Sequence, residues 1–212
     1  MAEIDHIVLG ARTLEEGAAF VERELGVKCQ TGGIHEGAGT HNMLLGLGPD
    51  SYLEVIAADP KQPQPVHPRL FDLDEPSVRL MLETGPALVG WVARTGAMDA
   101  LVARLGPRGG ELREIRRGDL HWRMAIPPQR QDMDNLLPAL IEWRGERAGK
   151  RLRDSQCRLL GLEAEHPEAD QVLAALADRG LEGAMRVRRG PRPRLIARLK
   201  TPDGSEKVLT SA

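Results

Sequence analysis

Along the first sixty residues the apolar positions change period twice. Residues 4–10, Ile-Asp-His-Ile-Val-Leu-Gly, fit an extended strand. From Thr13 the spacing turns helical, with Phe20, Val21 and Leu25 on one stripe and Gly26 as a natural stop. Thr13 and Glu16 have the spacing of a capping box. Strands follow at 41–45 and 52–56, so the block reads strand, helix, three strands. A weaker copy spans 88–143, with a strand at 87–93 and a helix at 95–105 carrying Met98, Leu101, Val102 and Leu105. It continues with a strand at 118–126, a polar loop at 127–135 and a strand that begins near Pro138 and ends at Trp143. After a charged connection at 144–154 a third block follows. It has a strand at 157–163, a helix opening around Pro167 and ending at Gly180, and short strands near 185–189, 195–199 and 207–209.

A repeat of this size decides the architecture before any single motif does. One βαβββ block has too small a sheet to stand alone, so two copies are expected to share a core and enclose a cleft. The expected fold is α+β: tandem βαβββ modules forming a curled mixed sheet with a central cleft, plus a third, degenerate βαβββ module. The boundaries fall at 1–60, 85–146 and 152–212, with 61–84 as a proline-rich linker carrying Pro63, Pro65 and Pro68. The third module has no fourth to pair with. Its apolar face is expected either to pack outside the first two or to meet its own copy in a homodimer.

Composition narrows the function classes. The net charge of −2 over 212 residues points to neither nucleic acid nor an anionic membrane. No apolar stretch is long enough to cross a bilayer, and the chain opens without the basic-then-apolar pattern of a signal peptide. Two cysteines, Cys29 and Cys157, without a CxxC motif suit a reducing cytoplasm. The glycine-rich segment 31–40 reads as a loop and matches no phosphate-binding pattern. The arginines at 186, 188, 189, 192, 194 and 198 are read as a solvated hairpin, since no aromatic residue interleaves them. A small-molecule substrate or ligand is the expected partner, beside the homodimer, with a structural or assembly module as a further reading.

Strand alternation selects the site. In the first strand Ile7 and Leu9 share one face, His6 and Val8 the other; in the fourth, Leu53 and Val55 oppose Tyr52, Glu54 and Ile56. The wholly apolar faces suit packing under the helices, which aims His6 and Glu54 into the cleft. A carboxylate and an imidazole there need a partner: a divalent metal, each other, or water. In the second copy Glu142, in Leu140-Ile141-Glu142-Trp143, has the place of Glu54 in Tyr52-Leu53-Glu54-Val55, so both glutamates are expected in one cavity. Either could serve as a general base. His41 and Asn42 are read as substrate contacts at the cleft rim or as loop anchors. His121 and Trp122, on the matching strand of the second copy, either line the cleft or belong to the core. His35, His67 and His166 are expected at the surface.

The opening Ile4-Asp5-His6-Ile7-Val8, the strand Tyr52-Leu53-Glu54-Val55-Ile56 and the repeated block resemble the vicinal oxygen chelate superfamily. More narrowly, Gly39-Thr40-His41-Asn42 with Leu44, Gly46 and Tyr52-Leu53-Glu54 is similar to the glyoxalase-like domain family. The resemblance implies a divalent metal (Mn²⁺, Fe²⁺, Ni²⁺ or Zn²⁺) held by His6, Glu54 and Glu142, in a lyase, isomerase or dioxygenase acting on a small oxygen-chelating substrate. The first strand of the second block, which should lend a fourth ligand, offers only Leu88, Gly90 or Trp91. The superfamily also contains metal-free proteins that sequester small molecules, and this is the alternative reading.

Overall fold

The computed structural model describes residues 2–127 and 133–211. The middle of the expected polar loop at 127–135 therefore lies outside the described residues. Strand β1 is Glu3–Gly10, and helix α1, Leu14–Leu25, follows it. The Thr13 hydroxyl accepts the Glu16 N–H at 3.1 Å, and Gly26 ends the helix in the left-handed region at φ 71°. The Glu16 carboxylate reaches back to the N–H and guanidinium of Arg12 and toward the Thr13 N–H. Then come β2 (Gln30–His35), β3 (Thr40–Gly46) and β4 (Tyr52–Ala58). The glycine-rich segment expected as a loop is thus largely strand.

The linker is not structureless. It contains a short 3-10 turn at Leu70–Asp72 and helix α2, Pro76–Glu83, with Pro76 in the first turn, where its missing N–H costs nothing. The second block comprises β5 (Ala87–Arg94), α3 (Met98–Leu105), β6 (Glu111–Arg117), β7 (Leu120–Ile126) and β8 (Ala139–Trp143). The third comprises β9 (Arg158–His166), α4 (Ala169–Ala177), β10 (Met185–Arg189), β11 (Arg194–Lys200) and β12 (Glu206–Thr210).

The first two blocks form one eight-stranded sheet in the order β2-β3-β4-β1-β5-β8-β7-β6. Each half runs from its own first strand through its fourth and third to its second. The halves join where β1 and β5 pair antiparallel, with Ile7 opposite Trp91. The sheet curls until its outer strands approach: the Glu36 N–H, just past β2, donates to the Arg116 carbonyl of β6 at 3.3 Å. One face is convex and helix-covered, the other concave, and the concave face is the cleft.

The third block has the expected order of elements but a different sheet, β10-β9-β11-β12. Its first strand pairs parallel with its second, not with its fourth. Its inward side chains, among them Leu162, Ala164, Leu195, Ala197 and Leu199, share one apolar core with Ile7, Leu9, Val21, Leu53, Val55 and Trp91 of the large sheet. The apolar face that motivated a homodimer is therefore covered within the chain, on the outside of the first two blocks.

Candidate functional site

The cleft face carries the polar side chains that alternation assigned to it. Ile7, Leu9, Leu53 and Val55 are fully buried in the helix-side core, while His6 and Glu54 line a cavity on the concave side. Their strands run parallel with His6 opposite Tyr52, so Glu54 lies two residues on, pointing the same way. His6 Nε2 is 3.2 Å from Glu54 Oε2, and the imidazole stacks on the Tyr52 ring at 4.4 Å. The other ring nitrogen, Nδ1, is 2.7 Å from Asp5 Oδ1. A bulge between Ile4 and His6 lets two consecutive residues serve one site, and Trp143 Nε1 donates to the other Asp5 oxygen at 3.0 Å.

The second Glu54 oxygen is also taken. Asn42 Nδ2 donates to Oε1 at 2.6 Å. The Asn42 carbonyl accepts the Gly33 N–H and Arg117 Nη1, each at 3.0 Å, which fixes the orientation of the amide. His35 is buried beside them. Its Nδ1 is 2.9 Å from the Thr40 hydroxyl, and its Nε2 is 3.2 Å from Asn42 Nδ2 and 3.6 Å from Glu54. Since the Asn42 amide donates, Nε2 accepts, and His35 is the neutral Nδ1–H tautomer. Trp122 stands edge-on to His35 at 5.9 Å and tilted against Trp143 at 5.2 Å.

These contacts set the charges. Burial by itself would lower the pKa of His6, but hydrogen bonds to Asp5 and Glu54 and their negative charges outweigh it and raise it to about 9. Burial works to raise that of Glu54, and is overcome chiefly by His6, so that it falls to about 2. His35 is pushed down to about 4 by burial, with the positive charge of Arg117 assisting. Burial, together with the charges of Asp5 and Glu54, holds Tyr52 in its phenol form. At neutral pH the centre is an imidazolium between two carboxylates, beside a neutral imidazole.

Several candidates lie elsewhere. Glu142 points to the helix side of the sheet, where Arg123 binds it at 2.6 Å and it accepts the Met98 N–H at 3.3 Å, capping α3. The reason is parity. In β8 it is Ala139, Ile141 and Trp143 that face the cleft, because Ala139 is opposite the cleft residue Val92. Glu142 is one residue out of phase with Glu54 and does not share its cavity. His41 alternates with Asn42 and so faces away from the cleft, 4.0 Å from Asp59. His121 alternates with Trp122 and pairs with Glu114 at 2.5 Å on the outer face. Trp122 lines the cleft, and Asn42 is buried beside it, bonded to Glu54 and Arg117. Of the histidines expected at the surface, His67 is exposed. His35 is 2% exposed and belongs to the site, and His166 is 7% exposed and accepts the Glu168 N–H at the start of α4. Asp5, His35 and Arg117 are the site residues that sequence reasoning missed.

Among the described residues, the second half brings no metal-ligating side chain to the centre. The cleft positions that would complete a metal shell hold Gly90 and Ile141. At Gly90 the ring of Phe71 fills the space: a Cβ there would meet its Cδ1 at 3.2 Å. Phe71 and Asp72, in the turn that crosses this end of the cleft, both have left-handed φ, 57° and 56°. Among the described residues no three His, Cys, Asp or Glu side chains converge as ligands of one ion would. Both oxygens of Glu54 and both nitrogens of His6 have protein partners. A tightly held divalent metal does not fit this donor set.

The comparisons agree with this architecture. A model of the glyoxalase-like domain matches residues 4–180. A crystal structure of a Staphylococcus aureus protein described as hypothetical superposes with TM-score 0.64 at 14% identity, covering 91% of this chain and 88% of that one. Methylmalonyl-CoA epimerase from Mycobacterium tuberculosis superposes with TM-score 0.44 at 21% identity, covering 66% and 87% of the two chains. The Streptomyces coelicolor epimerase, bound to 2-nitronate-propionyl-CoA, does so with TM-score 0.46 at 16% identity, over 68% and 98%. No curated protein matches the chain. With the family match spanning most of its length and two βαβββ halves curled about one cleft, the chain belongs to the glyoxalase-like domain family.

Proposed function

We propose that this protein binds a small molecule in its cleft without a resident metal. One observation carries the reading: the polar atoms of His6 and Glu54 that a metal would need are satisfied by Asp5, Asn42 and each other, while the second half presents an apolar and aromatic wall. That wall includes Trp122, Met124 and Ile141, and Phe71 of the preceding linker closes its end. The wall closes the inner end of the cleft, and the apolar body of a ligand is buried in the larger groove at its mouth, beside Leu44, Leu120, Ala148 and Leu152. The ionisation of the centre supports binding over proton transfer. A carboxylate near 2 is a weak base and an imidazolium near 9 a weak acid at neutral pH.

The thiols of Cys29 and Cys157 are both free, which supports a reducing, cytoplasmic setting. Among the described residues no helix is long and apolar enough to cross a membrane.

The test is a tryptophan-fluorescence titration of chelator-treated protein with indole and 2-naphthol. Trp122 and Trp143 line the cleft and report occupancy. Saturable quenching that is lost in Trp122→Leu and unchanged by added Mn²⁺, Ni²⁺ or Zn²⁺ is expected. Quenching that requires metal, or none at all, contradicts the reading.

A further inference from the structure

Among the described residues of the cleft, Arg117 is a buried charge with no carboxylate partner. It is 8% exposed, at the end of β6 where the curled sheet nearly closes on β2. Of its five N–H donors one is used, by the Asn42 carbonyl at 3.0 Å. Among the described residues no carboxylate pairs with it, although the other deeply buried charges of the cleft, Asp5, His6 and Glu54, are all paired. A buried guanidinium with no carboxylate in contact leaves most of its donors unsatisfied, and the usual remedy is an anion.

The position of Arg117 says where that anion belongs. Residues Gly33, Leu44, Leu120, Ala148 and Leu152 line an open groove of about 490 Å³ at the mouth of the cleft. The inner cavity around His6 and Glu54 is far smaller, about 20 Å³, roughly room for one water. Arg117 is the residue common to the two linings. The neighbouring arginine of the groove, Arg151, is already bound to Asp119 at 2.6 Å and to Glu146 at 2.7 Å. Arg117 is thus the free cation of this groove among the described residues, and its planar fork suits a carboxylate.

We infer that Arg117 is a carboxylate receptor at the waist of the cleft, and that the ligand is a small organic acid whose apolar body lies in the mouth groove. This rests on the small-molecule reading above and narrows it to a chemical class. Asn42 stands between the guanidinium and Glu54, donating to the glutamate and accepting from the arginine, and so keeps Arg117 from collapsing onto Glu54 in the empty site.

The experiment is calorimetric titration with 3-phenylpropanoate and its neutral amide, 3-phenylpropanamide, on wild type, Arg117→Met and Arg117→Lys. Thermal melts of all three proteins run alongside. The acid is expected to bind wild type at least about tenfold more tightly than the amide. Arg117→Met is expected to bring the acid-to-amide affinity ratio to about one in a protein that melts as wild type does, since an apolar residue replaces a buried charge with no carboxylate in contact. Arg117→Lys is expected to retain part of it, because the charge stays and the fork is lost. Equal binding of acid and amide by wild type overturns the inference and leaves the pocket reading standing. Binding of neither overturns both. Loss of the amide together with the acid in a folded Arg117→Met protein also overturns it, because Arg117 would then be shaping the groove and not reading charge.

Discussion

Nε2 of His6 and Oε2 of Glu54 are 3.2 Å apart on neighbouring parallel strands, and each side chain is almost wholly buried. Removing His6 leaves the Glu54 carboxylate with only the neutral Asn42 amide beside it, and His6→Ala is expected to cost about 3–5 kcal/mol in denaturant unfolding. Glu54→Ala is expected to cost less, because His6 keeps Asp5 as its partner. The double variant should lose clearly less than the sum, because the two side chains form one unit with Asp5 and Asn42. Strict additivity would show that the pair is not coupled.

Three buried groups predict the pH profile of stability. The pKa of His6 rises from 6.5 to about 9 on folding, so its contribution is complete below pH 6.5 and is lost as pH climbs through 9. Glu54 falls from 4.5 to about 2, so its contribution holds above pH 4.5 and is lost as pH drops toward 2. His35 falls to about 4 and is buried neutral, so the unfolded chain gains a proton that the folded one refuses between pH 6.5 and 4. Stability is therefore expected to peak near pH 6.5 and to decline on both sides. His35→Asn should flatten the arm between pH 6.5 and 4 in melting temperature against pH, and an unchanged arm would mean that His35 is not the group responsible.

Leu53 is fully buried beneath α1 and forms part of the helix-side core. Leu53→Ala is expected to cost about 2–5 kcal/mol, from lost burial and the cavity left behind. A cost below about 1 kcal/mol would mean that the faces of β4 are assigned backwards.

The Phe71 ring occupies the space left by Gly90, and Arg69 ties the same turn to Asp74 at 2.6 Å and to the Gly39 carbonyl at 2.9 Å. Gly90→Val is expected to push the ring out and loosen the segment 61–75. Faster proteolytic cleavage there, with the rest of the chain resistant, is the readout. Unchanged cleavage would show that Phe71 does not depend on Gly90 for its seat.

Much of this architecture was readable from local chemistry. The cap of α1, its glycine stop and the opposed faces of β1 and β4 each depend on residues close in sequence, and each is as expected. What was illegible depends on long-range pairing. The in-register look of Glu54 and Glu142 fails because β8 meets β5 one residue out of phase, a fact of sheet register that no short motif carries. His35 ends a strand written Gln-Thr-Gly-Gly-Ile-His, whose glycines read as loop and hide its inward face. Arg117 ends a strand, Glu-Leu-Arg-Glu-Ile-Arg-Arg, too polar to show which side is buried until β6 curls back toward β2. The strand order of the third block likewise follows from which strands meet, not from their sequence of types.

The most direct test of the central claim is metal titration of chelator-stripped protein, by calorimetry with Mn²⁺, Ni²⁺ and Zn²⁺ at neutral pH, for wild type beside His6→Ala. With His6 held protonated between Asp5 and Glu54, and with Gly90 and Ile141 where further ligands would stand, no stoichiometric uptake dependent on His6 is expected. One equivalent of metal bound by wild type and lost in His6→Ala would contradict the account, and would restore a metal-dependent reading of the cleft.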